Sequence, residues 1–273
     1  MAFPWSKSYR RRQLLATPFP TDWLAYLNGN VALYAGLTPA EQQRLRDDLR
    51  VFIAEKTWEG CGGLAITDEI KVTVAAQACL LLLGMEHDYF ETVLSVLIYP
   101  TTYRVPRESP DEEGLIDKHD GVRLGEAWYR GPVVLTWDTV LRDGRDLAEG
   151  SNLVLHEFAH QLDFLDGWTN GTPLLKTDEQ CDRWRHVMSA EYHRLIRDCR
   201  KGRPTVLDPY GASNPWEFFA VATECFFTQA VRMQARHPSL YQILREYYNQ
   251  DTAARVAQMD VTAKDGSSQA DRS

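Results

Sequence analysis

No stretch of this chain is long and apolar enough to cross a bilayer. The longest apolar run, Val74 to Met85, is interrupted by Gln77 and falls short of the roughly 20 residues a membrane helix needs. It reads as a core helix. The start, Met1-Ala-Phe-Pro-Trp-Ser-Lys-Ser-Tyr-Arg-Arg-Arg, has positive charge but no apolar segment behind it, so no secretory leader is expected. Cysteine is scarce. The five residues Cys61, Cys79, Cys181, Cys199 and Cys225 are odd in number and form no C-x-x-C pair. That argues against a disulfide framework and suits reduced thiols in a cytoplasm. Positive charge is also short, with 30 Lys and Arg against 38 Asp and Glu, a net charge of −8 and a pI near 5.4. A nucleic acid or an anionic membrane is therefore not the expected partner. There is no internal repeat and no Ser or Cys nucleophile signature. Gly121 to Gly125 lies in no strand–glycine–helix unit, so it is not a phosphate loop.

What is present suits a folded domain with a sizeable core. Hydrophobic residues make up 44% of the 273, including 8 Trp, 12 Tyr and 10 Phe. Residues 1–20 read as an irregular segment, with Arg10-Arg11-Arg12 and prolines at 18 and 20. No linker interrupts residues 21–255, which read as one domain, and the small polar residues of 256–273 read as a disordered tail.

Helix starts are explicit in several places. Thr38-Pro39 opens a helix to about Thr57, and Thr67-Asp68-Glu69 opens another that ends near Gly84. Thr177-Asp-Glu-Gln180 has the pattern of a capping box ahead of a long helix to about Arg200, with Trp184, Val187, Met188 and Leu195 on one stripe. Asn214-Pro215 and Pro238 open two more. Residues 92–99 and 131–137 read as strands, the second an edge because of Pro132.

The chemistry is carried by His156-Glu157-Phe158-Ala159-His160, an H-E-x-x-H motif inside an apolar stretch that should be helical from Ser151 or Asn152 to just before Gly167. Histidines at i and i+4 share one face, one turn apart, at the separation a single zinc ion needs. Glu157 then lies beside the metal, where it can take a proton from an activated water. A buried helix has no structural need for two imidazoles and a carboxylate on one stripe, and burying them unpaired is costly. A catalytic zinc takes a third protein ligand, and four carboxylates compete for the role. Asp163 is on the same face but short, and Glu179 falls in the capping box. Glu217 and Glu224 lie seven residues apart on one face of a later helix, with Glu217 also at a position that suits capping.

Around these residues the chain reads H-E-F-A-H-Q-L-D at 156–163 and Tyr-Gly-Ala-Ser-Asn-Pro-Trp-Glu at 210–217. This resembles the Mlc titration factor A family of bacterial metallopeptidases, whose catalytic core is similar to that of anthrax lethal factor. The strongest blocks are 125–137, 155–167 and 210–227, within a weaker likeness over residues 20–250. The resemblance implies His156, His160 and Glu217 as ligands of one Zn2+ and Glu157 as general base. It also implies Tyr210 as a hydroxyl beside the oxyanion. Asp163 and Glu224 are expected behind the ligands, hydrogen-bonding them or tethering the helix. His119, taken alone, is a loop histidine. Its position ahead of Gly125 matches a family histidine able to reach the metal as a fourth ligand, which would close the site until a loop moves.

The implied fold is α+β and zincin-like, mostly helical with a small mixed sheet beside the motif helix. Residues 131–137 form the edge along which an extended peptide can add. The implied activity is that of an aminopeptidase-like zinc peptidase in the cytoplasm, acting on peptide or protein substrates and binding a Mlc-type repressor. Two other readings keep the same residues, namely a regulatory binding protein with a latent or vestigial zinc site and a narrow-specificity endopeptidase. Intact Glu157 and Tyr210 favour an enzyme, because binding alone needs neither.

Overall fold

The helix starts written in Thr, Asn and Pro are where the helices begin. A computed structural model describes residues 6–101 and 131–257, and over these the chain is mostly helical. Helix α1 spans Lys7–Ala16, α2 Thr21–Asn30, α3 Pro39–Glu55 and α4 Asp68–Leu80. After the strands come α5 Trp137–Arg145, α6 Leu153–Asp163, α7 Asp178–Arg200, α8 Pro215–Thr228, α9 Ala230–Arg236 and α10 Pro238–Tyr248. Thr38 accepts from the Glu41 amide while Glu41 returns the contact to the Thr38 amide, a complete capping box. At α7 the box is shifted by one residue. Thr177 accepts from the Gln180 amide, but the Gln180 side chain accepts from Lys176 N rather than Thr177 N.

Strands β1 (Thr57–Gly60), β2 (Ser95–Tyr99) and β3 (Val133–Thr136) form one sheet in the order β1-β2-β3. Both pairings are parallel, with Trp58 opposite Val96 and Val96 opposite Val133. Among the described residues the sheet is therefore parallel, not mixed as expected. Each strand here is reached from the one before by a long stretch of chain, which brings the next strand back in the same direction. Val96, Ile98, Val133 and Leu135 point into the core and their neighbours do not, giving alternating burial. β3 lies at one edge, and its outer side has no partner strand among the described residues.

Helices α6 and α8 pack on each other, and α6 also touches α4, α5 and β3. Every residue from Phe218 to Phe227 is buried, and so is all of α4 from Val72 to Leu80, Gln77 included. Phe158, fully buried on α6, meets Phe90 and Phe52 with centroids 4.8 and 5.6 Å away. This aromatic wall holds the motif helix from behind, with edge-to-face rings.

Residues 1–20 are not irregular where they are described. Ser6 caps α1 by accepting from the Tyr9 amide, and Pro18 and Pro20 end that helix and lead into α2 rather than prevent either. α1 buries none of its residues. It is held by Lys7 to Asp88 and Glu91, by Arg11 to Glu55 and Asp88, and by Arg50 donating to the Leu14 and Thr17 carbonyls. The expected tail is also shortened. Residues 252–257 make a further helical turn, with Thr252 buried and donating to the Phe226 carbonyl, while 258–273 lie outside the described residues.

Candidate metal centre

The motif helix begins where its cap says it should. Asn152 accepts from the Leu155 amide, and the Asp143 carboxylate accepts from the Leu153 amide, so two amides of the first turn are satisfied by side chains. Helical spacing then sets His156 and His160 edge to face, with ring centroids 4.8 Å apart. Helix α8 starts at the opposite wall, where Asn214 accepts from the Glu217 amide. That cap sets Glu217 in the first turn of α8 with its carboxylate turned toward α6.

The three side chains converge. Glu217 Oε2 lies 3.0 Å from His156 Nε2 and 3.5 Å from His160 Nε2, and the two Nε2 atoms are 3.1 Å apart. One donor atom from each of the three falls within 4.8 Å of the others, and all three residues are buried. Among the described residues no other group of His, Cys, Asp and Glu meets this spacing. On the other side of the His156 ring, Nδ1 is 2.7 Å from Glu224 Oε1, and Glu224 Oε2 accepts from the Asn152 amide at 2.6 Å. Nδ1–H therefore donates to Glu224, and Nε2 faces the cluster.

The donor set fits a metal. Two imidazole nitrogens and a carboxylate are the borderline N/O set that suits a divalent transition ion with room for further ligands. His156 Nε2 and His160 Nε2 face one another and the same carboxylate oxygen, an arrangement that needs a cation or a proton between the lone pairs. Glu217 Oε1 and His160 Nδ1 are buried with no hydrogen-bond partner, and the Glu217 oxygen is one more donor a cation can take up.

The electrostatics agree. Burial opposes charge on His156, but Glu224, Glu217 and the neighbouring Glu157 outweigh it and hold its pKa well above 6.5. Burial likewise opposes ionisation of Glu217, and the two histidines overcome it, so its carboxyl titrates far below the usual carboxylate range. Asp163 behaves differently. Burial pushes it up to about 6, against the amides of Gly171 and Thr172 and the charge of His160, which pull it down. Its Oδ2 accepts from the Gly171 amide, pinning the loop after α6, while Oδ1 has no partner.

The structure brings together His156, His160, Glu217 and Glu224, and sets Asp163 at the end of the motif helix as a loop tether. Tyr210, on a 3-10 turn at Pro209–Ala212, faces the His156 ring with centroids 6.2 Å apart. Glu157 is half-buried on the next position of α6. Glu179 is exposed on the first turn of α7 and outside the donor cluster. His119 lies outside the described residues. One contributor was read from the sequence only as a helix start. Asn152 both caps α6 and, through its backbone amide, holds Glu224. The N-cap signature located the residue but carries no trace of the second contact.

Comparison with known proteins follows the same lines. The family model of glucose-regulated metallo-peptidase M90 matches residues 5–249. An uncharacterized protein of Synechocystis sp. is 38% identical over 247 residues, covering 90% of each chain. Proteins called Mlc titration factor A from Yersinia pestis (strain Pestoides F) and Yersinia pseudotuberculosis (serotype O:3, strain YPIII) are each 31% identical over 243 residues, covering 86% of this chain and 87% of theirs. The family match spans α6, α8 and every residue of the donor cluster, and on that ground the chain belongs to the M90 family of glucose-regulated metallopeptidases.

Proposed function

We propose that this protein is a zinc-dependent, aminopeptidase-like peptidase with a zincin-like arrangement of helix and sheet. The observation that carries the reading is the convergence of His156, His160 and Glu217 on a point between α6 and α8, with Glu157 next in sequence to His156 on α6. His156, His160 and Glu217 would hold the zinc, and Glu224 would keep His156 in the tautomer that binds it. When bound, zinc supplies Lewis acidity that brings the pKa of water toward neutrality. Glu157 accepts the proton of the attacking water and later delivers it to the leaving amine. The Tyr210 hydroxyl donates to the carbonyl oxygen as that atom gains negative charge. The outer side of β3, next to α6, offers backbone groups along which an extended peptide can lie.

The name carried by the Yersinia relatives supports a second role, binding and sequestering a Mlc-type repressor. The five free cysteines suit a cytoplasmic setting. The decisive experiment is turnover of free and N-terminally blocked peptides by the zinc-loaded chain and by Glu157→Gln. The variant should keep stoichiometric zinc and lose nearly all turnover. Wild-type turnover in Glu157→Gln would remove the general base. Equal cleavage of blocked peptides would replace the aminopeptidase with an endopeptidase. Absence of any turnover in wild type, with repressor binding intact, would leave the regulatory role alone.

A further inference from the structure

Gln77 is the polar interruption in the longest apolar run of the chain, and the chemistry above makes no use of it. It sits in α4 among Ala75, Ala76, Ala78 and Cys79, all fully buried, and is itself only 1% exposed. A primary amide in such a place is costly unless every polar atom is satisfied. The NH2 group donates to the Thr73 carbonyl at 3.1 Å and reaches the Val140 carbonyl at 3.5 Å. The carbonyl oxygen accepts from Asn152 Nδ2 at 2.7 Å. Thr73 and Val140 are on α4 and α5, so the amide bridges two helices before it touches a third.

We propose that Gln77 is a positioning residue of the metal centre, acting on His156 through Asn152 and Glu224. The inference rests on the metal-binding reading of His156. The amide of Asn152 has both ends engaged. Its Nδ2 donates to Gln77, and its Oδ1 caps α6 at Leu155. Gln77 therefore decides which way the Asn152 amide faces, because only the observed orientation puts the oxygen toward Leu155. With the side chain fixed, the Asn152 backbone amide points at Glu224 Oε2, 2.6 Å away. The other oxygen of Glu224 takes the Nδ1–H of His156 at 2.7 Å. Each link is buried, so water does not substitute for a missing partner. Gly144 on α5 shows how closely the amide is packed. A β-carbon there would meet Asn30 O at 2.4 Å and Gln77 Nε2 at 3.0 Å.

The chain Gln77–Asn152–Glu224–His156 spans α4, α6 and α8 and fixes the ring nitrogen that faces Glu217. Outer partners of this kind change metal affinity by about 10- to 100-fold. The test is a double-mutant cycle on the full chain, with zinc itself as the probe and a competing chelator to read Kd. Gln77→Met, which keeps the volume and removes the polar atoms, should weaken zinc binding about tenfold. Glu224→Gln should weaken it at least as much. The double variant should be no weaker than Glu224→Gln, because both changes act through one path. A second readout is the nitrogen NMR spectrum of His156. Gln77→Met should broaden or lose the protonated Nδ1 signal while circular dichroism stays unchanged.

If Gln77→Met does not fold, Asn152→Ser serves in its place, since it keeps a cap oxygen and the backbone amide but loses the donor to Gln77. Unchanged zinc affinity in a folded Gln77 or Asn152 variant overturns the proposal, as do losses that multiply in the double variant. If wild type takes up no zinc at His156, His160 and Glu217, the metal reading falls and this inference with it. If wild type binds zinc and only the cycle fails, the metal reading stands alone.

Discussion

The protonation of His156 makes zinc affinity depend on pH in a specific way. In the metal-free chain both ring nitrogens face acceptors, with Nδ1 2.7 Å from Glu224 and Nε2 3.0 Å from Glu217. Burial opposes the charge, but the two carboxylates outweigh it and hold the pKa well above 6.5, which favours the imidazolium over the neutral ring. Zinc needs the Nε2 lone pair and must displace that proton. Below the raised pKa each pH unit then changes the apparent Kd about tenfold, or about 1.4 kcal/mol. Lowering the pH from about 7.5 to about 6.5 should weaken binding roughly tenfold, with about one proton released per zinc. Chelator competition across this range gives the slope. Calorimetry in two buffers of different ionisation enthalpy counts the protons. In Glu217→Gln one of the two attracting carboxylates is gone, so affinity drops and proton release falls below one. The stability of the metal-free chain has the matching sign. A histidine whose folded pKa is raised stabilises fully below 6.5, and that contribution is lost as pH rises through the higher value. A Kd that is flat over the range, with no proton released while zinc binds stoichiometrically, would refute the proton between His156 and Glu217.

Three further outcomes test other parts of the structure. Tyr210→Phe should retain zinc and lower kcat by about ten- to a thousandfold, as for removal of one oxyanion donor; an unchanged kcat removes the hydroxyl from the reaction. Phe158→Ala deletes a fully buried ring packed on Phe52 and Phe90 and should cost about 3–5 kcal/mol in urea unfolding, whereas a loss well under 1 kcal/mol would mean the wall behind α6 collapses without penalty. Asp163, held at about 6 by burial, opposes folding once ionised, so the metal-free chain should lose stability from pH 3.8 to about 6. Asp163→Asn should flatten that part of the thermal-denaturation profile, and superimposable profiles would refute the assignment.

The parts of the site that were legible in the sequence share one property, that each is encoded within a single turn or cap. His156 and His160 are one helix face with Glu157 on the adjoining position, and Asn214-Pro215 announces the start of the helix that carries Glu217. The pairing of these two helices is not local, and the choice of Glu217 over Glu179 and Glu224 came from resemblance rather than from spacing. Three of the helices that went unread have neither a side-chain cap nor a proline at their first position. α2 follows Pro20, α5 leaves β3 at Thr136 and α9 starts at Gln229, and none of these three N-caps makes a side-chain hydrogen bond to its helix. β1 has only four residues, half of them exposed, and owes its form to pairing with Ser95–Ile98. Its strand direction, like the contact of the Asn152 amide with Glu224, depends on residues far away in the chain. Burial of Gln77 was visible as a flaw in an apolar run, but its partners were not.

The attachment of α1 divides the molecule in a way its helices alone do not reveal. α4 is lost from water almost entirely, while α1 gives the core nothing and is tied down by Lys7 and Arg11. Ion pairs at a surface weaken as counter-ions crowd around them, over a Debye length of about 8 Å at physiological ionic strength. Burial responds to salt in the opposite direction when the anion is sulfate or phosphate. The same solution that tightens the helices around the metal centre therefore loosens the first helix of the chain. α1 is therefore expected to exchange its amides as a unit apart from the folded core, opening at a lower free energy than α4.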